Sequence, residues 1–173
     1  MSIRVGSKAP DFDLEGVLND QFIKESLEKY RGKWVLLFFY PLNFTFICPT
    51  EITEFSKRYD EFRELKAQVL GVSIDSKFSH KAWLKELGQL KYPLLSDITK
   101  ETSRCYGVLL ENAGIALRGT FIIDPEGTLR YHLVHDLGIG RSVEEFLRVL
   151  KALQTGEMCP VEWKPGKQTL GKT

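Results

Sequence analysis

The chain has 173 residues, 43% hydrophobic and 27% charged, with a formal net charge of +1. That is one domain's worth of ordinary globular chain, long enough to enclose a core, and its near-neutral charge excludes the basic footprint of a nucleic-acid or anionic-membrane binder. No apolar stretch approaches the ~20 residues that span a bilayer, and the opening Met1-Ser2-Ile3-Arg4-Val5-Gly6-Ser7-Lys8 has no apolar signal core, so the expectation is a mature, soluble, cytoplasmic protein.

In chain order, the first clear element is the apolar run Trp34-Val35-Leu36-Leu37-Phe38-Phe39-Tyr40. Its length and its Val/Phe/Tyr content predict a buried strand ending at Pro41. From Pro49 to about Lys66, the residues Ile52, Phe55, Tyr59, Phe62 and Leu65 recur at steps of three and four, which is the apolar stripe of one helix. Residues 69–74 read as a second buried strand, so strand, helix and strand predict a parallel crossover of the usual right hand. Further helices are predicted over residues 78–90 and, shorter, over 100–106. Residues 119–124 and 128–135 flank Asp124-Pro125-Glu126-Gly127, whose Pro and Gly supply turn geometry, and predict a β-hairpin. Ser142 is placed to cap a last helix through Leu153, with Glu144 and Glu145 in its first turn matching the dipole. A parallel unit followed by an antiparallel hairpin is the thioredoxin-like α/β arrangement, a central mixed sheet flanked by helices. One domain is expected over residues 1–156; residues 157–173, polar and rich in Gly and Lys, read as a loose tail.

Three cysteines, Cys48, Cys105 and Cys159, make an odd number with no Cys-x-x-Cys spacing, which argues against a disulfide framework and a zinc site. His80, His132 and His135 form no ligand pattern, so neither metal nor cofactor is expected. Cys48 lies at the mouth of the helix that Pro49 opens, where unpaired N–H groups and the positive end of the dipole favour an anion. A thiolate is such an anion, and the sulfur reads as a nucleophile. The plainer reading is a buried cysteine acting as a small hydrophobe.

The run Pro41-Leu42-Asn43-Phe44-Thr45-Phe46-Ile47-Cys48-Pro49-Thr50-Glu51 resembles the active-site signature of the peroxiredoxins. The class it is most similar to is the typical two-cysteine one, which includes the peroxidase component of bacterial alkyl hydroperoxide reductase. The likeness continues through Gly32-Lys33-Trp34-Val35, through Asp75-Ser76, Phe78-Ser79-His80 and Ala82-Trp83, and through Pro93-Leu94-Leu95-Ser96-Asp97. It closes with Arg118-Gly119-Thr120-Phe121-Ile122-Ile123-Asp124 and Gly156-Glu157-Met158-Cys159-Pro160 before Trp163. The resemblance implies the thioredoxin-like fold with a peroxiredoxin-type N-terminal extension and a C-terminal tail. It also implies a thiol peroxidase that reduces hydrogen peroxide and organic hydroperoxides, serves antioxidant defence, and is recycled by thioredoxin or a dedicated disulfide reductase.

Such a reaction needs a thiolate, a group to hold the peroxide, and positive charge where the O–O bond breaks. By the resemblance, Pro41, Thr45, Cys48 and Arg118 form the peroxide-binding constellation, while Glu51 and Arg141 help to hold it. Read without it, Thr45 is an ordinary loop hydroxyl, Arg118 a surface charge, Glu51 a first-turn dipole match and Arg141 a solvated cation. Cys159 matches the resolving cysteine, which attacks the Cys48 sulfenic acid of the other protomer and closes an intersubunit disulfide. The resemblance thus implies a homodimer, and also a ring of five dimers whose contacts include the positions matching Phe44, Phe78 and Ser79. Cys105 matches no cysteine of the family and is expected to be a packing residue.

The chain departs from many relatives at Asn43, where they have Asp, and at Ile47, where they have Val. It also lacks a Gly-Gly-Leu-Gly insertion, reading Glu86-Leu87-Gly88-Gln89-Leu90-Lys91-Tyr92-Pro93 instead, and shows no Tyr-Phe pair before Thr173. Resistance to over-oxidation is therefore expected. Two other functions compete: a holdase whose ring binds unfolded clients, and a thioredoxin-type disulfide reductase, which the missing Cys-x-x-Cys pair opposes.

Overall fold

A short apolar run rich in Val, Phe and Tyr with no polar face suits a strand covered on both sides, and the computed structural model, which describes residues 3–172, puts it there. The strands are β1 (Asp13–Leu18), β2 (Gln21–Ser26), β3 (Trp34–Phe39), β4 (Ala67–Ser73), β5 (Leu94–Ser96), β6 (Leu109–Leu110), β7 (Ile115–Ala116), β8 (Arg118–Ile123) and β9 (Leu129–His135). The helices are α1 (Cys48–Lys57), α2 (Tyr59–Glu64), α3 (Lys77–Leu87), α4 (Glu101–Cys105) and α5 (Val143–Thr155). Seven strands form one sheet in the order β2-β1-β5-β4-β3-β8-β9, while β6 and β7 make a small separate hairpin. Pairing is parallel for β3–β4 and β4–β5 and antiparallel elsewhere in the large sheet, so the expected mixed thioredoxin-like sheet is present. By compactness the chain falls into two units, one ending at Arg141 and the other beginning at Ser142.

In the first unit the period-two alternation of β3 supplies two layers of core. Val35, Leu37 and Phe39 join Leu70, Val72, Phe121 and Ile123 in one cluster. On the opposite face Phe38 stacks on Phe55 of α1 with ring centroids 4.4 Å apart, and meets Tyr92 edge-on at 5.8 Å. The expected single helix from Pro49 is two, because Arg58 leaves helical geometry at φ −95°, ψ 9°. The interruption keeps the apolar stripe nearly in phase, with Ile52, Phe55 and Phe62 all buried, so periodicity could not expose it. The turn between β8 and β9 is built as expected: Gly127 takes φ +79°, and the Asp124 carboxylate accepts from the N–H groups of Glu126 and Thr128.

The hairpin of β1 and β2 at the sheet's edge has no counterpart among the expected elements; β2 is largely exposed and carries no apolar alternation to reveal it. Gly16 of β1 is there because β5 leaves no room for a side chain. A Cβ at Gly16 would lie 2.3 Å from the Leu94 carbonyl oxygen and 2.7 Å from a Leu95 methyl. Gly16→Ala is expected to destabilise the protein by about 1–3 kcal/mol, as overpacking does, read as a lower denaturation midpoint at unchanged m-value.

In the second unit Ser142 caps α5 as expected, its hydroxyl accepting from the Glu145 N–H at 3.3 Å, and Gly156 closes the helix in the left-handed region at φ +64°. The tail is not the loose segment its composition predicts. Met158 N–H donates to the Gly171 carbonyl and Leu170 N–H to that of Met158, at 2.9 and 2.8 Å. Trp163 is buried, its indole N–H donates to the Lys167 carbonyl, and Arg148 of α5 donates to the Trp163 carbonyl at 3.1 Å. One buried aromatic and a main-chain clasp order a segment that reads as polar.

Candidate active site

The end of β3 delivers the chain through Tyr40 and a buried Pro41 into a short loop, and α1 opens on Cys48 itself, with Pro49 as its second residue. The sulfur therefore belongs to the first turn, among the N–H groups that have no partner inside the helix. Cys48 is fully buried. Because β8 runs antiparallel beside β3, with Thr120 opposite Phe38, the first residue of β8 comes level with the loop after β3. That residue is Arg118. Its Nη1 lies 3.4 Å from the Cys48 Sγ, and its Nε donates to the Leu137 carbonyl at 2.8 Å.

Glu51 sits one turn along α1 from Cys48, on the same face. Its carboxylate accepts from Arg118 Nη1 at 2.8 Å and from Arg141 N, Nε and Nη2 at 2.9, 2.8 and 2.8 Å. Arg141 also donates from Nη1 to the Phe39 and Gly119 carbonyls, both at 2.8 Å, and its guanidinium lies 5.1 Å from the Phe38 ring centre. All three charged side chains are almost wholly buried, at 4% exposed for Arg118, 3% for Glu51 and 0% for Arg141. Arg141 is thus no solvated cation; it ties the end of β3, the start of β8 and the first turn of α1 into one block. Burial, the largest influence on the Glu51 carboxyl, pushes its pKa up; the Arg141 hydrogen bonds and the charges of Arg141 and Arg118 outweigh it and hold the carboxyl below its ordinary value.

Thr45 is half-buried in the loop, and its hydroxyl donates to the Leu42 carbonyl at 3.0 Å. Cys159 follows α5 and is half-buried, with Sγ 3.6 Å from the Thr155 hydroxyl and 3.9 Å from the Ala152 carbonyl. Phe44 and Phe78 are exposed at 52% and 66%, while Ser79 bonds to Asn43. Cys105 is a correction: it is exposed, not packed. The single turn of α4 buries Thr102 and Ser103 and turns Cys105 outward, and one helical turn carries no periodicity from which that could be read. A buried polar network joining Asn43 to Tyr40, Asp75, Ser79 and His80 also escapes sequence reasoning. In the sequence Asn43 stands out only as a departure from the family, and a loop amide announces no partners. Among the described residues, no group of three or more His, Cys, Asp or Glu could hold a metal ion, and no helix is long and apolar enough to cross a membrane.

Residues 5–132 match the AhpC/TSA family. A putative peroxiredoxin of Bacillus subtilis is 57% identical over 96% of this chain and 97% of its own length. The thioredoxin-dependent peroxide reductase of Drosophila melanogaster mitochondria is 53% identical over 95% of this chain and 74% of its own. Among solved structures, the reduced 2-Cys peroxiredoxin of Plasmodium vivax superposes with a TM-score of 0.94 at 43% identity, covering 96% of this chain and 92% of that one. With sequence and fold both shared over nearly its whole length, the chain belongs to the AhpC/TSA family and is an enzyme of the peroxiredoxin type, a peroxidase.

Proposed function

We propose that the chain reduces hydrogen peroxide and organic hydroperoxides by a two-cysteine cycle centred on Cys48. One observation carries this reading: the sulfur touches a buried cluster of two guanidiniums and one carboxylate, which leaves one positive charge uncompensated. An anion on Cys48 balances that charge, and the helix mouth favours it too. The thiolate attacks one peroxide oxygen, the O–O bond breaks, and the other oxygen leaves as hydroxide or alkoxide that takes up a proton. Cys48 becomes a sulfenic acid. Arg118 is the cation at hand for the charge that develops on the departing oxygen. The Thr45 hydroxyl donates its own hydrogen to the Leu42 carbonyl, so its oxygen is free to accept a hydrogen bond from the incoming peroxide. Pro41 stiffens the loop, and Glu51 and Arg141 hold Arg118 in place.

Cys159 of the partner subunit then attacks the sulfenic sulfur, releasing water and forming an intersubunit disulfide. A dithiol such as thioredoxin reduces it and is itself oxidised to a disulfide. The thioredoxin dependence of the Drosophila relative supports that class of donor. The proposal includes a homodimer, five of which close a ring through exposed Phe44 and Phe78 and neighbouring Ser79, and a reducing, cytoplasmic setting that supplies the dithiol. It further treats residues 1–156 as the catalytic domain and 157–173 as the segment that carries the resolving thiol.

Stopped-flow reaction with one equivalent of hydrogen peroxide, followed by non-reducing electrophoresis, tests the cycle. Wild type is expected to run as a disulfide-linked dimer. Cys159→Ser is expected to react with peroxide once at nearly the wild-type rate and then run as a monomer. A covalent dimer in that variant, or none in wild type, overturns the pairing.

A further inference from the structure

We infer that Asn43 is a positioning residue that latches the Cys48 loop closed, and so sets how the Cys48 sulfenic acid divides between disulfide and sulfinic acid. The inference rests on the peroxidase cycle proposed above and adds the residue that governs its branch point. Asn43 is 6% exposed and spends both its side chain and its main-chain N–H on groups outside the loop's far end. The N–H donates to an Asp75 carboxylate oxygen at 3.0 Å, in the connection between β4 and α3. The side-chain oxygen accepts from the Tyr40 hydroxyl at 2.8 Å, and Nδ2 donates to the Ser79 hydroxyl at 2.9 Å and meets His80 Nδ1 at 3.0 Å, both on α3.

One proton arrangement satisfies this set. The Leu95 carbonyl, 3.0 Å from His80 Nε2, can only accept, so Nε2 carries the imidazole proton and Nδ1 presents a lone pair. An amide supplies the two N–H groups that the lone pair and the Ser79 oxygen need. Burial, opposed by the Leu95 hydrogen bond and by Asp75, holds His80 below its ordinary pKa, consistent with a neutral ring. The next residue, Phe44, takes φ +56°, a conformation that a bulky side chain adopts only when its surroundings force it. Its ring lies against Trp83 at 5.7 Å. The latch and this aromatic contact therefore hold the chain reversal that precedes Cys48. Cys48 is wholly buried, so a second thiol reaches it only when the loop opens. Closed, the sulfenic acid faces further peroxide: Cys48–SOH plus ROOH gives Cys48–SO2H plus ROH, the irreversible rung of the oxidation ladder. Open, it meets Cys159 and gives disulfide plus water.

The test follows both products by mass spectrometry across a peroxide titration, with Trp83 emission as a reporter of the loop. Asn43→Ala is expected to lower sulfinate formed per disulfide about tenfold, to slow the first reaction with peroxide, and to shift the emission of the reduced protein toward that of the oxidised wild type. Because that variant strands three buried partners and risks not folding, Asn43→Asp carries the same test in an isosteric residue. At pH 8 the carboxylate has no N–H for His80 Nδ1, and the sulfinate ratio is expected to fall as for Ala. The introduced carboxylate, an opposite charge in contact with the ring, favours the charged imidazole, so on acidification to pH 6 His80 is expected to take up a proton and donate to it, and the ratio to rise back, a response absent from Asn43→Ala. The other groups facing His80 in that comparison are Asp75 from the β4–α3 connection, Tyr40 from the end of β3, the Leu95 carbonyl of β5 and Ser79 of its own helix. If Asn43→Asp folds and keeps the wild-type ratio and emission at both pH values, the latch is wrong. If instead Cys48→Ser still consumes peroxide, the cycle itself is wrong, which separates the two failures.

Discussion

Cys48→Ser is expected to reduce peroxide consumption to the uncatalysed level, a loss of at least about a thousandfold. The substitution changes one atom in a fully buried site, so it leaves the packing of α1 against β3 in place. What it removes is an acidic group: a serine hydroxyl stays protonated even beside a guanidinium, and the buried cluster of Arg118, Arg141 and Glu51 keeps its unmatched positive charge. A direct peroxide assay with excess dithiol makes the measurement. Cys105→Ser, at an exposed thiol outside the site, is the control and is expected to turn over at the wild-type rate. Retention of more than a few per cent of activity in Cys48→Ser ends the proposed cycle.

Glu51→Ala is expected to cost about 3–5 kcal/mol of stability, the penalty for stripping one partner from a buried ion cluster. The carboxylate receives four N–H donors from two arginines, and neither guanidinium has water to turn to. Urea unfolding at pH 7 measures the loss. Activity is expected to fall with it, because Arg118 loses the anchor that holds its Nη1 beside the sulfur. The pH dependence has a definite sign. The Glu51 carboxyl titrates below its ordinary value of 4.5, so its contribution is complete above that value and is lost as pH falls through the lower, folded one. The stability gap between wild type and Glu51→Ala is therefore expected to be flat from neutral pH down to about 5 and to shrink below 4. A gap that widened on acidification would mean the carboxylate is not the stabilising species.

Strands with two buried faces and helices with a full apolar stripe were legible from residue order: β3, β4, α3, α5 and the β8–β9 hairpin all lie within a few residues of where periodicity puts them. What periodicity missed has little of it. β2 is mostly exposed, β5 is three residues long, and Arg58 interrupts a helix without shifting its stripe. The helix-mouth position of Cys48 was readable because Pro49 marks the start of a helix. Its meeting with Arg118 was not, since seventy residues separate them and only the antiparallel register of β3 and β8 closes the distance. Only likeness to a family assigned Arg118 and Arg141 to the site, and the burial of Arg141 reverses what its polar setting in sequence implies. The partners of Asn43 lie just after β3, in the connection between β4 and α3, and on α3, and no local rule connects them.

The clasp that ties Met158 to Gly171 and Leu170 has a thermal consequence. Cys48 is wholly buried and Cys159 half-buried, so the disulfide proposed above requires the Cys48 loop of one protomer and the tail of its partner both to loosen. Local openings of this kind gain chain entropy and accelerate steeply on warming, whereas the encounter with another peroxide molecule does not depend on them. The proposed cycle therefore predicts that cooling lengthens the wait of the sulfenic acid for its thiol and raises the share of sulfinic acid formed per disulfide, read by mass spectrometry at two temperatures.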